Sequence, residues 1–300
     1  MTLSPSRAER PQISAVINTR NEEHNLPFAL QSLASWVDEI IVVDMDSTDR
    51  TVEIAESYGA KVYQHEPVGF ADPARAFAIE KAAGPWIMML DADEVVPHSL
   101  SLRLVEAAED DDGDVIVIPW LNYLLGAPMR GTGWGYAQDR HPRFFKKAAL
   151  ETSPTIHNFM HPVPNARVFN LPRLEKYAIH HFNYLNTEHF IEKLNRYTSI
   201  EAQQAFRRGE RSSPTRVVRA TIKEFAWRYL VRRGFRDGWR GFFLSAFMVF
   251  YRMSVESKLI ELSTVGDADK IKSDYAATAR HLISEYQAKP GSQGEHGGHS

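Results

Sequence analysis

The feature that most constrains the fold is an alternation of short apolar runs with helical patterns through the first 120 residues. Runs rich in Val and Ile are typical of strands that are buried on both faces of a parallel sheet. We predict strands at residues 13–17, 40–43, 61–64, 86–90 and 114–118, with helices at residues 26–37, 51–58 and 73–83. Because the connections are short, this order implies a parallel α/β sheet with right-handed crossovers.

The second half of the chain has a different pattern. Glycine and proline recur between residues 121 and 180, so we expect loops with short strands there. Helical periodicity returns at Thr187, and an apolar stripe runs from Ile222 to Leu230. The predicted organisation is a flexible N-terminus at residues 1–10, the two halves of an α/β domain at 11–120 and 121–186, a helical extension at 187–288 and a disordered tail at 289–300.

The composition, with 43% hydrophobic and 24% charged residues, excludes collagen-like and wholly disordered chains. The formal net charge of -3 gives no sign of nucleic-acid binding. The chain has no cysteine, which excludes disulfides and thiolate metal sites. The first ten residues lack the apolar segment of a signal peptide, so we expect a cytoplasmic protein.

Charge is distributed unevenly along the chain. Between Arg207 and Arg240 there are eleven basic and three acidic residues, which is a net charge of +8. A basic amphipathic pattern can lie on an anionic membrane surface, here the inner face of the cytoplasmic membrane. The alternative is that these helices pack on the rest of the protein or on a second subunit. The apolar run at residues 242–251 is too short to cross a bilayer, and we expect it to be buried in protein.

Two acidic residues directly follow the predicted fourth strand. Asp91 and Asp93 lie two positions apart, so both side chains emerge at the strand's carboxyl end, where ligands of parallel α/β sheets bind. Two neighbouring carboxylates repel each other unless a cation joins them. Hard oxygen ligands select Mg²⁺ or Mn²⁺, and substrate phosphates usually complete the coordination of such ions. The alternative is a solvated turn or a helix cap.

Two further polar clusters follow the first and second predicted strands. They are Asn18-Thr-Arg-Asn-Glu-Glu23 and Asp44-Met-Asp-Ser-Thr-Asp49. A polar loop or a helix N-cap would explain either cluster alone. All three clusters are nevertheless expected at the same edge of the sheet, and Asp44, nearest its strand, is the better candidate for a ligand contact.

In order and spacing, the segments ISAVINTRNEEHNL, EIIVVDMDSTDRTVEIA and WIMMLDADE resemble the family 2 glycosyltransferases of the GT-A fold. The later segments QDRHPRFFKK, HNFMHP and HHFNYLNTEHFIEKLNRYTSIEA resemble the bacterial branch that glycosylates lipopolysaccharide cores and related envelope glycans. The resemblance spans roughly residues 12–200. It implies a Rossmann-like, mostly parallel sheet flanked by helices. It also implies a metal-dependent inverting enzyme that moves a sugar from a nucleotide-diphospho-sugar, such as a UDP-sugar, to an envelope glycan or lipid-linked acceptor.

The same resemblance implies roles for individual residues. Asp44 would contact the nucleotide base, and Thr19 and Glu22 would line the nucleotide pocket. Asp91 and Asp93 would serve the ribose and the metal-bound diphosphate, with Mg²⁺ or Mn²⁺ as the cofactor.

Three residues of the later segments complete the predicted site. Asp139 is the general-base candidate, because an inverting transferase needs a carboxylate that takes the proton of the acceptor hydroxyl. Arg143 could clamp the diphosphate, or its stem could cover an apolar surface. His161 stands where the branch commonly has a His-Glu pair, but Pro162 follows it here. It is either a third metal ligand or a structural histidine.

Three other residues are weaker candidates. Arg75, in the helix before the fourth strand, could bind phosphate or lie on the surface. Of His180 and His181, only His181 falls at the position matched by the branch, and we predict a catalytic role for neither.

Two alternative functions remain open at this point. A sugar-phosphate nucleotidylyltransferase also places acids at the rim of an α/β sheet, but it would need a glycine-rich loop after the first strand. The corresponding segment, Asn18 to Glu23, has no glycine. The other alternative is a non-catalytic nucleotide-sugar-binding protein, against which the intact pair Asp91 and Asp93 argues.

Overall fold

A computed structural model of the chain describes residues 10–67, 72–152 and 160–287. Its N-terminal part is the predicted α/β unit, in which four parallel strands are ordered β3-β2-β1-β4. The strands are β1 (Ile13–Thr19), β2 (Glu39–Asp44), β3 (Lys61–Gln64) and β4 (Trp86–Asp91), and the helices between them are α1 (Leu26–Leu33), α2 (Thr51–Ser57) and α3 (Asp72–Lys81). Helix α1 ends earlier than predicted because Trp36 and Val37 turn back to bond the carbonyl of Leu33.

Both faces of this sheet are covered, which explains the continuous apolar runs of its strands. All seven residues of β1 are buried. Ile13 and Ile17 belong to the core cluster that includes α1, whereas Val16 belongs to the cluster on the other face, which includes α3. Polar side chains are therefore concentrated where the strands end.

The second part of the chain extends the same sheet. Its elements are β5 (Glu94–Val95), α4 (His98–Glu109), β6 (Val115–Leu124), β7 (Ala127–Pro128), β8 (Arg140–Lys146), β9 (Leu150–Thr152), β10 (Met160–Pro162), β11 (Val168–Asn170) and β12 (Ile179–Tyr184). The main path continues from β4 through β8, β6 and β12 to β5, while β7 and β11 pair with β6. Strands β9 and β10 form a separate two-stranded sheet.

Strand β8 occupies a central position that the sequence did not predict, because residues 121–180 were expected to be rich in loops. It lies antiparallel between β4 and β6. Its two large apolar residues, Phe144 and Phe145, are consecutive and fully buried, one in each core cluster. No alternation of apolar and polar residues marks such a strand, since both of its faces are buried at Phe144 and Phe145.

Helices form the rest of the described chain and confirm the predicted C-terminal extension. They are α5 (Thr187–Arg207), α6 (Pro214–Ala226), α7 (Gly238–Thr264) and α8 (Ala268–Gln287). Helices α5 and α6 pack on α7. Between α6 and α7 the chain forms a π-helical turn at Trp227–Val231 and a 3₁₀ turn at Gly234–Asp237, so α6 ends before the predicted stripe does. Among the described residues, no helix has both the length and the apolar character needed to span a membrane.

The apolar run at residues 242–251 is only partly buried, which corrects the expectation from the sequence. Leu244 and Ser245 are fully buried, but Phe242, Phe243 and Phe250 are 46%, 45% and 51% exposed. Helix α7 packs on α5. The core cluster that contains Phe190 and Leu194 of α5 includes Leu244 of α7 but none of these three aromatic residues. The predicted flexible N-terminus, apart from Arg10, and the predicted disordered tail lie outside the described residues.

Candidate active site

The three polar clusters meet at the carboxyl edge of the sheet. In the parallel register, Thr19 of β1 lies beside Asp44 of β2, and Asn18 of β1 lies beside Asp91 of β4. Because β1 runs between the other two strands, the clusters form one continuous rim. The sequence predicts this convergence, since a parallel register aligns the carboxyl ends of neighbouring strands.

Asp44 ends β2 with a buried side chain. Its carboxylate accepts hydrogen bonds from the backbone N–H of Ser47 at 3.0 Å and from the Ser47 hydroxyl. The backbone N–H of Asn21 donates to the same hydroxyl, and the Asn21 side-chain oxygen accepts from the N–H of Thr48. The loops after β1 and β2 are therefore tied together around Asp44.

Thr19 and Glu22 lie on the loop after β1. Thr19 is buried, and its hydroxyl has no hydrogen-bond partner in the described part of the chain. A buried polar atom without a hydrogen bond lowers the stability of the fold unless a ligand or a water molecule supplies the missing bond. The carboxylate of Glu22 accepts from the side-chain amide of Asn25 at 2.8 Å, while burial, aided by the nearby charge of Asp93, raises the pKa of Glu22.

Asp91 is held by two arginines. Arg75 approaches its two carboxylate oxygens at 2.6 and 2.9 Å, and Arg143 approaches one of them at 2.9 Å. Burial alone would raise the pKa of Asp91, but Arg143 and Arg75 hold it far below its ordinary value. Asp91 therefore remains a carboxylate, and both arginines belong to the rim.

Glu94 closes the turn that begins at Asp91. Its carboxylate accepts the backbone N–H of Asp91 at 2.8 Å and lies 3.3 Å from the guanidinium of Arg143. The side chain is completely buried. Burial and the neighbouring charge of Asp91 outweigh Arg143 and raise the pKa of Glu94 to about 7.

Asp93 faces a histidine from the far end of the sheet. Strand β12 places His181 beside both Glu94 of β5 and Asn122 of β6. His181 Nε2 lies 3.4 Å from an oxygen of Asp93, and the ammonium of Lys193 lies 3.9 Å from the other oxygen. Burial alone would lower the pKa of His181, but the Asp93 carboxylate holds it above its ordinary value.

Asn122 connects this histidine to Asp139. Its side-chain NH₂ donates to the backbone carbonyl of Trp134 at 3.0 Å and to a carboxylate oxygen of Asp139 at 2.7 Å. Both partners are acceptors, so the Asn122 oxygen must point to His181 Nδ1, which lies 2.8 Å away. His181 Nδ1 therefore carries a hydrogen and donates a hydrogen bond to the Asn122 oxygen. Nε2 is the nitrogen that faces Asp93.

Asp139 lies just before β8, where its carbonyl accepts the N–H of Trp120. One of its carboxylate oxygens accepts from Asn122, and the other lies 2.8 Å from His141 Nε2. The ring of His141 packs against that of Trp120, with 4.0 Å between the ring centroids. About a fifth of the Asp139 side chain is exposed, so the carboxylate is oriented by its neighbours and still accessible.

Arg143 is almost completely buried. Its guanidinium lies 4.5 Å from the centre of the Trp120 ring and forms ion pairs with Asp91 and Glu94. In the described part of the chain, one Arg143 nitrogen, Nη1, and the Trp120 indole nitrogen are buried without a hydrogen-bond partner. Arg143 thus joins β8 to the turn after β4, and its Nη1 has N–H groups to offer to a ligand.

Comparison with known proteins supplies the family. Residues 14–163, half of the chain, match the sequence profile of "Glycosyl transferase family 2". The chain belongs to this family. An uncharacterized glycosyltransferase of Rickettsia bellii (strain RML369-C) is 29% identical over 272 residues, which are 84% of this chain and 87% of the relative. The lipopolysaccharide core biosynthesis glycosyltransferase LpsC of Rhizobium meliloti (strain 1021) is 27% identical, over 82% of this chain and 94% of LpsC.

Solved structures also superpose on this glycosyltransferase. S. aureus TarS 1-349 in complex with UDP is 17% identical, with a TM-score of 0.45, over 85% of this chain and 92% of that one. Glucosyl-3-phosphoglycerate synthase of M. tuberculosis in complex with Mn²⁺, UDP and phosphoglyceric acid is 18% identical, with the same TM-score, over 69% and 81% of the two chains. The family assignment rests on the sequence match, and the α/β fold rests on the strand order described above.

A divalent ion can be accommodated at only part of the predicted ligand set. Asp91 is occupied by two arginines, whereas Asp93 and the Nε2 atom of His181 face each other. The described residues contain no cluster of three or more carboxylate or imidazole groups arranged for a metal ion. Mg²⁺ can be bound by one carboxylate together with substrate phosphates, and Asp93, which faces His181 Nε2, supplies such a carboxylate.

His161, the predicted third ligand, lies elsewhere in this glycosyltransferase. It is exposed on β10 and pairs with Glu151 of β9, in the separate two-stranded sheet. The histidine beside Asp93 is His181, for which the sequence analysis predicted no catalytic role. The signal was present in its match to the family branch, but its distance from Asp93 along the chain concealed the contact.

Proposed function

We propose that this glycosyltransferase is an inverting, metal-dependent enzyme that moves a sugar from a UDP-sugar to a glycan or lipid-linked acceptor of the bacterial envelope. The observation that carries the proposal is the connected set Asp93, His181, Asn122 and Asp139. This set links the carboxylate after β4 to the candidate general base. Sugar transfer needs the leaving diphosphate and the acceptor hydroxyl in one site. The set fixes the position of Asp93, on the diphosphate side, relative to Asp139, on the acceptor side.

The donor pocket would be formed by the loops after β1 and β2. Asp44 offers a buried carboxylate that can accept the imide N–H of uracil. The unpaired hydroxyl of Thr19 would be completed by the nucleotide, with Glu22 beside it. Asp91, still partly exposed, would accept a ribose hydroxyl.

The diphosphate would lie between Asp93 and Arg143. Asp93 and His181 would hold Mg²⁺ or Mn²⁺, which would stabilise the negative charge on the departing diphosphate. The unpaired Nη1 of Arg143 would donate to a phosphate oxygen. His181 would be kept in the correct tautomer by Asn122, as histidine ligands usually are by a second hydrogen bond.

Asp139 would act as the general base. It would take the proton of the acceptor hydroxyl while that oxygen attacks the anomeric carbon from the side opposite the diphosphate. The new bond joins the acceptor oxygen to the anomeric carbon, and the bond to the diphosphate oxygen breaks with its electron pair. A single displacement of this kind inverts the anomeric configuration. His141 and Asn122 would orient the carboxylate without taking the proton themselves.

A relative and the charge distribution support the proposed acceptor and the proposed location. LpsC, similar over most of its length, is named for lipopolysaccharide core biosynthesis. Such acceptors are carried on membrane lipids, so a peripheral position on the inner face of the cytoplasmic membrane would bring the enzyme to them. The positive charge between Arg207 and Arg240 favours that position.

Calorimetric titration with UDP, with and without Mn²⁺, tests the donor site. We expect Mn²⁺-dependent binding that Asp93→Ala and His181→Ala abolish. The exposed His161→Ala serves as the matched control and should bind like the unmodified protein. Binding that is indifferent to both Mn²⁺ and Asp93→Ala would contradict the proposal.

The same preparation tests Asp139. Asp139→Asn should bind UDP and Mn²⁺ normally and lower the rate of sugar transfer or donor hydrolysis by about 10²- to 10⁴-fold. Its unfolding transition should change little, because asparagine has the same shape, keeps an oxygen that accepts from Asn122, and can donate to His141 Nε2 in the other tautomer. An unaltered rate would assign the proton transfer to another group.

A further inference from the structure

A cluster of exposed apolar residues lies where α6 turns into α7. We call it the aromatic elbow, and its exposed members are Leu230, Val231, Phe235, Trp239, Phe242 and Phe243. Their exposed fractions lie between 45% and 68%. Apolar side chains this exposed and this close together commonly mark an interaction surface.

The aromatic members form one continuous surface. The ring of Tyr229 lies 6.4 Å from that of Phe235 and 5.9 Å from that of Phe242. The ring of Phe243 lies 5.6 Å from Phe242 and 6.2 Å from Trp239. Residues from the π-helical turn, the 3₁₀ turn and α7 thus contribute to the same patch.

Basic side chains accompany this surface. Arg219, Lys223, Arg233 and Arg236 are exposed, and none of them forms an ion pair within the described residues. By contrast, Arg228 is engaged by Glu224 and by the carbonyl of Thr132, so it belongs to the interior of the structure. Part of the basic segment is therefore structural. Arg233 and Arg236 lie within the turns that carry the elbow, and Arg219 and Lys223 are exposed on α6, which leads into them.

We propose that the aromatic elbow inserts into the surface of an anionic membrane. Aromatic and aliphatic side chains with cations at their edge match the chemistry of a headgroup and acyl-chain boundary. A symmetric contact with a second copy would instead place two patches of net positive charge against each other, which is unfavourable. The charge pattern therefore favours anionic lipid over a second protein chain.

The turns that carry the elbow also bind the loop, residues 130–138, that leads to Asp139. Asp237 accepts the backbone N–H groups of Arg130 and Gly131 at 2.7 and 2.8 Å. The carbonyl of Arg232 accepts the N–H of Thr132 at 3.0 Å and the side chain of Gln138 at 3.1 Å. Insertion of the elbow would therefore bring the acceptor side of the site to the bilayer. This consequence rests on the proposed function, whereas membrane insertion itself does not.

Vesicle flotation tests the proposal without any donor. The full chain should float with vesicles of phosphatidylcholine containing phosphatidylglycerol and much less with phosphatidylcholine alone. Lys223→Gln with Arg236→Gln should lower partitioning about 30-fold, at about 1 kcal/mol for each cation. Trp239→Ser with Phe243→Ser should lower it at least about tenfold. Phe28→Ser and Arg50→Gln, exposed positions of the α/β unit, are the matched controls and should float normally.

Depth of insertion can be read directly because the chain has no cysteine. A Phe235→Cys variant labelled with an environment-sensitive fluorophore should show a blue-shifted, brighter emission on anionic vesicles, and a Phe28→Cys variant should not. An unchanged emission at position 235 would overturn insertion, as would flotation that only the cationic variants weaken. A dimer that Trp239→Ser with Phe243→Ser dissociates would assign the elbow to a second copy.

The two proposals can fail separately. Vesicle binding without Mn²⁺-dependent UDP binding would refute the proposed function and retain the membrane surface. UDP binding without vesicle binding would refute the membrane surface and the proposed peripheral position, and it would retain the proposed sugar-transfer chemistry.

Discussion

At the scale of single residues, Asn122 has the most consequential position. Its two donor contacts and one acceptor contact leave a single orientation for the amide, and this orientation sets the tautomer of His181. One uncharged side chain therefore influences both the candidate metal ligand and the candidate base. Nothing in the sequence around Asn122 indicates this role, because all of its partners come from other elements.

Glu94 yields a prediction about pH. Its folded-state pKa of about 7 exceeds the ordinary value of 4.5, so between these values the folded chain binds a proton that the unfolded chain has released. The free energy of unfolding contributed by this group therefore falls as the pH rises from 4.5 to 7. Glu94→Gln should remove this fall, which is on the order of 3 kcal/mol.

Urea unfolding of both proteins at pH 5 and pH 8 measures the difference. Glu39→Gln is the control that should leave the difference between pH 5 and pH 8 unchanged, because hydrogen bonds from Lys61 and Ser14 outweigh burial and lower the pKa of Glu39. Stability from Glu39 is present above pH 4.5 and lost as the pH falls below it. A Glu94→Gln variant with the same pH dependence as the parent would show that Glu94 stays ionised throughout.

At the scale of elements, the turn before α7 supports the site from a distance. Asp237 is the N-cap residue of α7, but its side chain makes no bond to that helix. It binds instead the backbone of the loop that leads to Asp139. The C-terminal extension thus contributes directly to the geometry of the α/β domain.

Replacing Asp237 should loosen this loop. Asp237→Ala leaves two backbone N–H groups without their acceptor, at a cost of about 1–3 kcal/mol each where they stay buried. We expect a lower rate of sugar transfer with nearly unchanged UDP affinity, because the donor loops follow β1 and β2. Asp237→Asn retains one acceptor oxygen, so its rate of sugar transfer should lie between those of the unmodified protein and Asp237→Ala. Steady-state kinetics with UDP titration distinguishes the cases, and an equal loss of affinity and rate would argue against a loop-specific effect.

The elements also show where prediction from sequence succeeds. Strands β1 to β4 and their helices were predicted because each is a local apolar run or a helical period, and β3 was predicted with its exact bounds. Strand β8 was missed, since its sequence RHPRFFK is neither an apolar run nor an alternation of apolar and polar residues. For the same reason, the expected loop-rich region conceals the middle of the sheet.

At the scale of the whole molecule, the strongest positive charge and the aromatic elbow occur in the same part of the chain. The net charge is only -3, yet the stretch from Arg207 to Arg240 carries +8. The aromatic elbow falls within and just after that stretch. Composition averaged over 300 residues therefore conceals the property most relevant to the proposed membrane contact.

Ligand binding should stabilise the molecule as a whole. A ligand that binds only the folded state adds about 2.7 kcal/mol when its concentration is 100 times the dissociation constant. UDP with Mn²⁺ at that excess should therefore raise the melting temperature. Asp93→Ala should abolish the increase, while the exposed His161→Ala preserves it. Differential scanning fluorimetry measures the effect. An equal increase in melting temperature with UDP alone would show that nucleotide binding does not require the metal.

The sequence by itself determined the order of the βα units, their parallel arrangement and the meeting of Thr19, Asp44 and Asp91 at one edge. Each of these follows from local hydrophobic patterns and from the geometry of parallel strands. Only the tertiary structure decided that His181 faces Asp93, that Arg75 and Arg143 hold Asp91, and that Phe242 and Phe243 remain exposed. Those contacts join residues far apart along the chain, so their geometry depends on how complete elements pack.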